Sequence, residues 1–153
     1  MSPPGLHRNY IRNKLQHRSE FRGVVSRRVL QQQQQTLGVR LGPRQSVIIL
    51  HQRHYTSLTL SEDMKTCFYF DPLGTSNLTK TLRGLFQSLR VETVFYNTKS
   101  VQASRSDKCG LFCMYFIVKQ IYSAVQFQTF LDTFKPACDK NDQLVHLLLN
   151  RKI

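Results

Sequence analysis

From Cys109 to about Val125 the chain is apolar on nearly every side. Leu111, Phe112, Met114, Tyr115, Phe116, Ile117, Val118, Ile121 and Tyr122 populate all faces of a helix rather than one stripe. A helix of that kind has no solvent face, so the remaining chain must cover it from more than one direction. With 153 residues there is material for one core of ordinary size, and none for two domains with a cleft between them.

The covering layers are legible upstream. Residues 46–51, 54–60 and 66–71 (TCFYFD) are three strand candidates rich in β-branched and aromatic side chains. Residues 61–64 form a polar connection of hairpin length between the second and third. Thr75, Ser76 and Asn77 offer N-caps for a helix whose apolar positions Leu78, Leu82, Leu85, Phe86 and Leu89 recur at helical spacing, with Lys80, Arg83 and Arg90 outside. Residues 91–96 read as a fourth strand, 97–108 as a polar loop, and 127–134 and 143–149 as outer helices. The pattern predicts an α+β fold: a small mixed or antiparallel sheet packed against a buried central helix, with amphipathic helices around it.

Residues 1–45 have a different character. They hold few large apolar side chains, two Pro/Gly turn signals and five consecutive glutamines at 31–35, with nine Lys and Arg against the single acid Glu20. That segment therefore carries +8 of the chain's net +13. It reads as a basic, partly disordered arm with a Gln-rich linker and a short helix near residues 10–15, which places the folded domain at 46–153. The first 30 residues lack an apolar core and the longest aliphatic run is residues 47–50, so neither secretion nor membrane insertion is expected. Four cysteines without such a signal point to a reducing compartment, where thiols serve as core packing, metal ligands or nucleophiles.

The candidate chemistry sits at strand and helix ends. If Leu60 pairs with Lys65 across the turn, antiparallel pairing places His54 opposite Asp71, close enough for a carboxylate to orient an imidazole. Cys109 is the best placed thiol. With Ser106 or Asp107 as cap, it occupies the first turn of the buried helix, where unpaired N–H groups and the macrodipole stabilise a thiolate. Gly110 beside it lets a substrate backbone come close. Gln102 lies in the loop before that helix, where its amide and the Cys109 N–H are able to donate to the oxyanion of an acyl-transfer intermediate. Cys113 and Cys67 read as core residues, and Cys138 has no assignable role. A rival reading makes Cys109 and Cys113 zinc ligands with Cys67, Cys138 or a histidine, although three-residue spacing inside an apolar helix fits a zinc ribbon or finger poorly.

At these residues the chain resembles a known family. His54-Tyr55, the run from Lys65 to Gly74 (KTCFYFDPLG), Val101-Gln102 and Cys109-Gly110-Leu111-Phe112-Cys113 match the adenovirus protease (adenain) family in order and spacing over about residues 46–122. That family is related to the SUMO and ubiquitin-like-protein proteases. The resemblance implies a cysteine endopeptidase with His54 as base, Asp71 as orienting acid, Cys109 as nucleophile and Gln102 in the oxyanion hole. It further implies viral or virus-like-element precursor proteins as substrates, action in the virion and host nucleus, and stimulation by DNA. Tyr55 stands where the family usually has Trp, and residues 80–101 contain no cysteine to tether a peptide activator.

No cofactor is expected to be needed for this chemistry, and the chain is expected to act as a monomer. DNA is expected as a non-specific, electrostatic partner of the basic arm. Two other readings use the same features: a protease that removes a ubiquitin-like modifier, and a non-catalytic basic DNA-binding protein.

Overall fold

The structure, a computed structural model, describes residues 8–28, 41–104, 106–136 and 138–151. The element order is α1 (Arg8–Leu15), β1 (Phe21–Ser26), β2 (Ser46–His51), β3 (His54–Leu60), β4 (Thr66–Phe70), α2 (Lys80–Ser88), β5 (Thr93–Tyr96), α3 (Cys109–Val118), α4 (Ala124–Asp132) and α5 (Cys138–Asn150). The strands form one mixed sheet in the order β1-β2-β3-β4-β5. The central pairs β2/β3 and β3/β4 are antiparallel, and the flanking pairs β1/β2 and β4/β5 are parallel.

Alternation along the strands sorts their side chains into two layers. Ile48, Tyr55, Phe68 and Phe70 face α3, whose ten residues are all buried, together with Ile11 and Leu15 of α1, Phe127 and Phe130 of α4, and Val145 and Leu149 of α5. Val47, Ile49, Leu58, Leu60, Cys67 and Tyr69 face Leu82, Leu85 and Phe86 of α2. The fold is thus α+β, with the sheet between α2 and the α3 layer, as the sequence predicts.

Four local expectations are corrected. Residues 8–26 are not an arm: Ile11, Leu15 and Val24 are buried against α3, β1 pairs with β2, and Glu20 O accepts from Ser46 N–H at 2.8 Å. The arm's apolar residues are few, but their i, i+4 spacing on α1 puts Ile11 and Leu15 inward while Arg8, Arg12 and Lys14 stay exposed. The glutamine run lies outside the described residues. Helix α2 is capped by Thr79, whose side chain accepts from Leu82 N–H at 3.2 Å, because Thr75 is buried in a loop contact with its N–H donating to Asn97 O at 2.9 Å. The buried helix ends at Val118, since Gln120 takes a left-handed φ of 54°, and Ser123 caps a new helix by accepting from Gln126 N–H.

The β3/β4 hairpin also adopts a register other than the expected one. Leu60 pairs with Cys67 rather than Lys65, and Ser57 pairs with Phe70, a two-residue shift from the expected alignment. At the other end of β3, Gln52 and Arg53 both adopt positive φ (49° and 67°) in a two-residue loop that sets His51 opposite His54. Turns of this hand match the twist of the paired strands, and this one places His54 immediately after the hairpin tip.

Candidate active site

The first residue of β3, the residue after β4 and the first residue of α3 meet at one end of the sheet. A two-residue register shift leaves side chains on the same face, so His54 and Asp71 become diagonal neighbours instead of directly opposed ones. Their side chains close that gap: His54 Nε2–H donates to Asp71 Oδ1 at 2.6 Å. The same oxygen accepts from Leu73 N–H at 2.9 Å, which holds the carboxylate in its turn. The other ring nitrogen, Nδ1, is left free on the ring, and Cys109 lies near enough to act on the His54 charge.

Burial alone pushes the His54 imidazole towards neutrality. The hydrogen bonds and charges of Asp71 and Cys109 together outweigh it and raise the pKa to about 9. Its hairpin partner His51 goes the other way, lowered by burial, by Arg27 and by the charge of His54, while Arg27 Nη2 donates to its Nε2 at 2.7 Å. The end of the hairpin therefore carries one imidazolium, at position 54. Because that pKa lies above the unfolded value of 6.5, protonated His54 contributes stability fully below pH 6.5 and loses it as pH rises through about 9. Urea midpoints measured between pH 6 and pH 10 are expected to fall across that window, and to fall less in His54→Ala; equal slopes in the two proteins would refute the pairing.

Cys109 is 5% exposed and opens α3. Neither Ser106 nor Asp107 caps that helix. The cap position is Lys108, without a side-chain hydrogen bond, and Ser106 Oγ instead accepts from Lys108 N–H at 3.0 Å, one step early. Helix geometry leaves the first-turn N–H groups without intrahelical acceptors, so they remain beside the Cys109 thiol for an anionic group. Cys113, one turn on, is fully buried, and burial pushes its thiol well up. Cys67 is raised in the same way but lies on the α2 side of the sheet. The sheet thus separates it from Cys109 and Cys113. Cys138 opens α5, where its Sγ–H donates to Ser100 O at 3.4 Å. Among the described residues no three His, Cys, Asp or Glu side chains gather as a metal site.

Gln102 is 2% exposed in the loop before α3. Its Nε2 donates to Ser106 O at 2.7 Å, and its buried Oε1 has no partner among the described residues. An amide nitrogen carries two hydrogens, so one remains for a further acceptor beside the entrance to α3. The loop is laced to the turn after β4: Pro72 O accepts from Val101 N–H at 2.9 Å, Gln102 N–H at 3.0 Å and Ser100 Oγ–H at 3.1 Å. Within that turn Gly74 has φ +80°.

Sequence reasoning does not single out Asn97, which is 4% exposed. Its Oδ1 accepts from Asp71 N–H at 3.0 Å, and its Nδ2 donates to Asp71 O at 2.7 Å and Lys99 O at 3.0 Å. The only signal for it is the parallel register of β5, in which Tyr96 pairs with Tyr69 and brings the next residue alongside the end of β4. Tyr55, in the place of the family's usual Trp, is buried in the layer facing α3.

No curated protein matches the sequence. In fold the chain is similar to the central domain of the uncharacterized Lpg1148 protein from Legionella pneumophila, with a TM-score of 0.47 and 13% identity over 87% of this chain and 88% of that one. The model of the adenovirus endoprotease family matches residues 19–143, from β1 into α5. That span holds every side chain gathered at the end of the sheet, and the chain belongs to the adenovirus endoprotease family of cysteine-type endopeptidases.

Proposed function

We propose that Cys109, His54, Asp71 and Gln102 carry out peptide-bond hydrolysis on viral or virus-like-element precursor proteins during virion maturation. The observation that supports this most is the His54–Asp71 hydrogen bond at 2.6 Å, beside Cys109 at the start of α3. In this reading the Cys109 thiolate attacks the scissile carbonyl while the His54 imidazolium, held by Asp71, protonates the leaving amine. Water then hydrolyses the acyl-enzyme with His54 as base. The Cys109 N–H and the free hydrogen of Gln102 Nε2 stabilise the oxyanion.

A peptidyl vinyl sulfone should label one cysteine, and peptide mapping should find the adduct at Cys109. Labelling at Cys138 alone, or none, would overturn the assignment. Cleavage of ubiquitin-like conjugates in preference to precursor peptides would move the substrate class to deconjugation. Action in the virion and host nucleus is the setting that the family implies. Among the described residues no helix is long and apolar enough to cross a membrane.

DNA is proposed as an electrostatic partner and activator, with no cofactor needed for the chemistry itself. The support is the exposed cationic set Arg8, Lys14 and Arg22 on α1 and β1. Because those elements belong to the fold, the test is Gln substitution at the three positions rather than truncation. The salt slope of duplex binding should flatten by about 0.9 for each phosphate that no longer meets a cation, and an unchanged slope would place the binding surface elsewhere.

A further inference from the structure

Apart from the turn bond in which Gly74 N–H donates to Asp71 O at 2.8 Å, the backbone of Asp71 is held by a side chain and not by another strand. Beyond the pair Tyr69 and Tyr96 the β4/β5 ladder stops. Asn97 continues it with its carboxamide, accepting from Asp71 N–H and donating to Asp71 O, as a neighbouring peptide group would. An amide offers an acceptor and donors in one plane, a combination no hydroxyl or carboxylate supplies. Its own backbone O accepts from Thr75 N–H at 2.9 Å, so Asn97 clamps both ends of the turn from Asp71 to Thr75. Pro72, inside that turn, holds the Gln102 N–H.

We infer that Asn97 is a positioning residue that sets Asp71 against His54 and, through Pro72, sets Gln102 beside Cys109. This rests on the roles given above to Asp71 and Gln102. Loss of the clamp leaves the turn that carries the carboxylate with only its internal bonds and the contacts at Pro72 O, which loosens the end that holds Asp71, and a misplacement of about 1 Å at a site of this kind costs up to ~100-fold in rate. The residues that would meet substrate are untouched, so the effect falls on kcat rather than KM.

The test compares the wild-type chain with Asn97→Ala, Asn97→Ser and Thr79→Ala, reading kcat, KM, Tm and the pH profile of kcat/KM. Thr79→Ala removes only the cap of α2 and serves as the stability control. Wild-type activity should fall on the alkaline side as His54 deprotonates near 9. In the Asn97 variants kcat should drop roughly 10- to 100-fold with KM unchanged, and the alkaline limb should move down towards the unperturbed histidine value of about 6.5. Thr79→Ala should lower Tm without moving the limb. If Asn97→Ala does not fold, Asn97→Ser, which keeps an acceptor for the Asp71 N–H, carries the measurement. Asn97 variants that keep the wild-type limb and kcat, or lose activity only in step with Tm as Thr79→Ala does, overturn the role of Asn97. Absence of the limb in the wild type would instead count against His54 and Asp71.

Discussion

Cys109→Ala should reduce peptide cleavage by at least about 10⁴-fold while leaving the thermal midpoint nearly unchanged. In the proposed mechanism the thiol is the attacking atom, and the residue stands at the start of α3, where Ala is well tolerated. His54→Ala should fall to a similar floor, and the double variant should be no worse, because the two groups act as one unit. Asp71→Asn should retain more activity than His54→Ala, since in the proposed mechanism the carboxylate orients and stabilises the imidazolium without moving a proton itself. Gln102→Ala should lower kcat by roughly 10²–10³-fold if its free amide hydrogen meets the oxyanion. Cys113→Ser behaves oppositely: its site is fully buried, so a hydroxyl there costs about 1–3 kcal/mol of stability with the chemistry intact. Steady-state kinetics beside thermal melts separate these outcomes, and undiminished cleavage by Cys109→Ala would remove it as nucleophile.

Gly74→Ala should destabilise the protein by about 2–4 kcal/mol. Two costs add at this position. The φ of +80° is strained for any L side chain, and a Cβ there would sit 2.6 Å from Thr98 O, 2.9 Å from Lys99 C and 2.9 Å from Ser100 N. All three atoms are backbone, so none swings aside. Relief requires the loop to move, and the loop carries Gln102, so kcat should fall along with stability. Gly23→Ala isolates the strain: its φ is +114° and nothing lies within 4 Å of the added atom. A melting temperature for Gly74→Ala at or above that of Gly23→Ala would show that the loop yields easily and would refute the steric argument.

The pairing of His54 with Asp71 is legible in the sequence even though the register inferred for it is not the one adopted. Simple hairpin counting makes the two residues directly opposed; in the fold they are diagonal, and they still meet. A shift by an even number of residues preserves the face of every side chain, and the reach of an imidazole and a carboxylate covers one diagonal step. An odd shift would separate them. The turn between β3 and β4 includes Met64 at φ 62°, and no residue type there announces a left-handed conformation.

By itself the sequence determined the central helix, the two faces of the strands and the placing of Cys109 at a helix start, because hydrophobic periodicity is a local property that burial enforces. Only the tertiary structure decided that Ile11, Leu15 and Val24 draw the basic N-terminal segment into the core, since three apolar side chains are too few to register as composition but enough to cover one side of α3. It alone decided the Asn97 clamp on Asp71 as well. Those residues lie 26 positions apart, and whether a polar loop residue meets a strand end depends on the pairing of β4 with β5. That pairing is set by packing on both faces of the sheet rather than by any preference of asparagine.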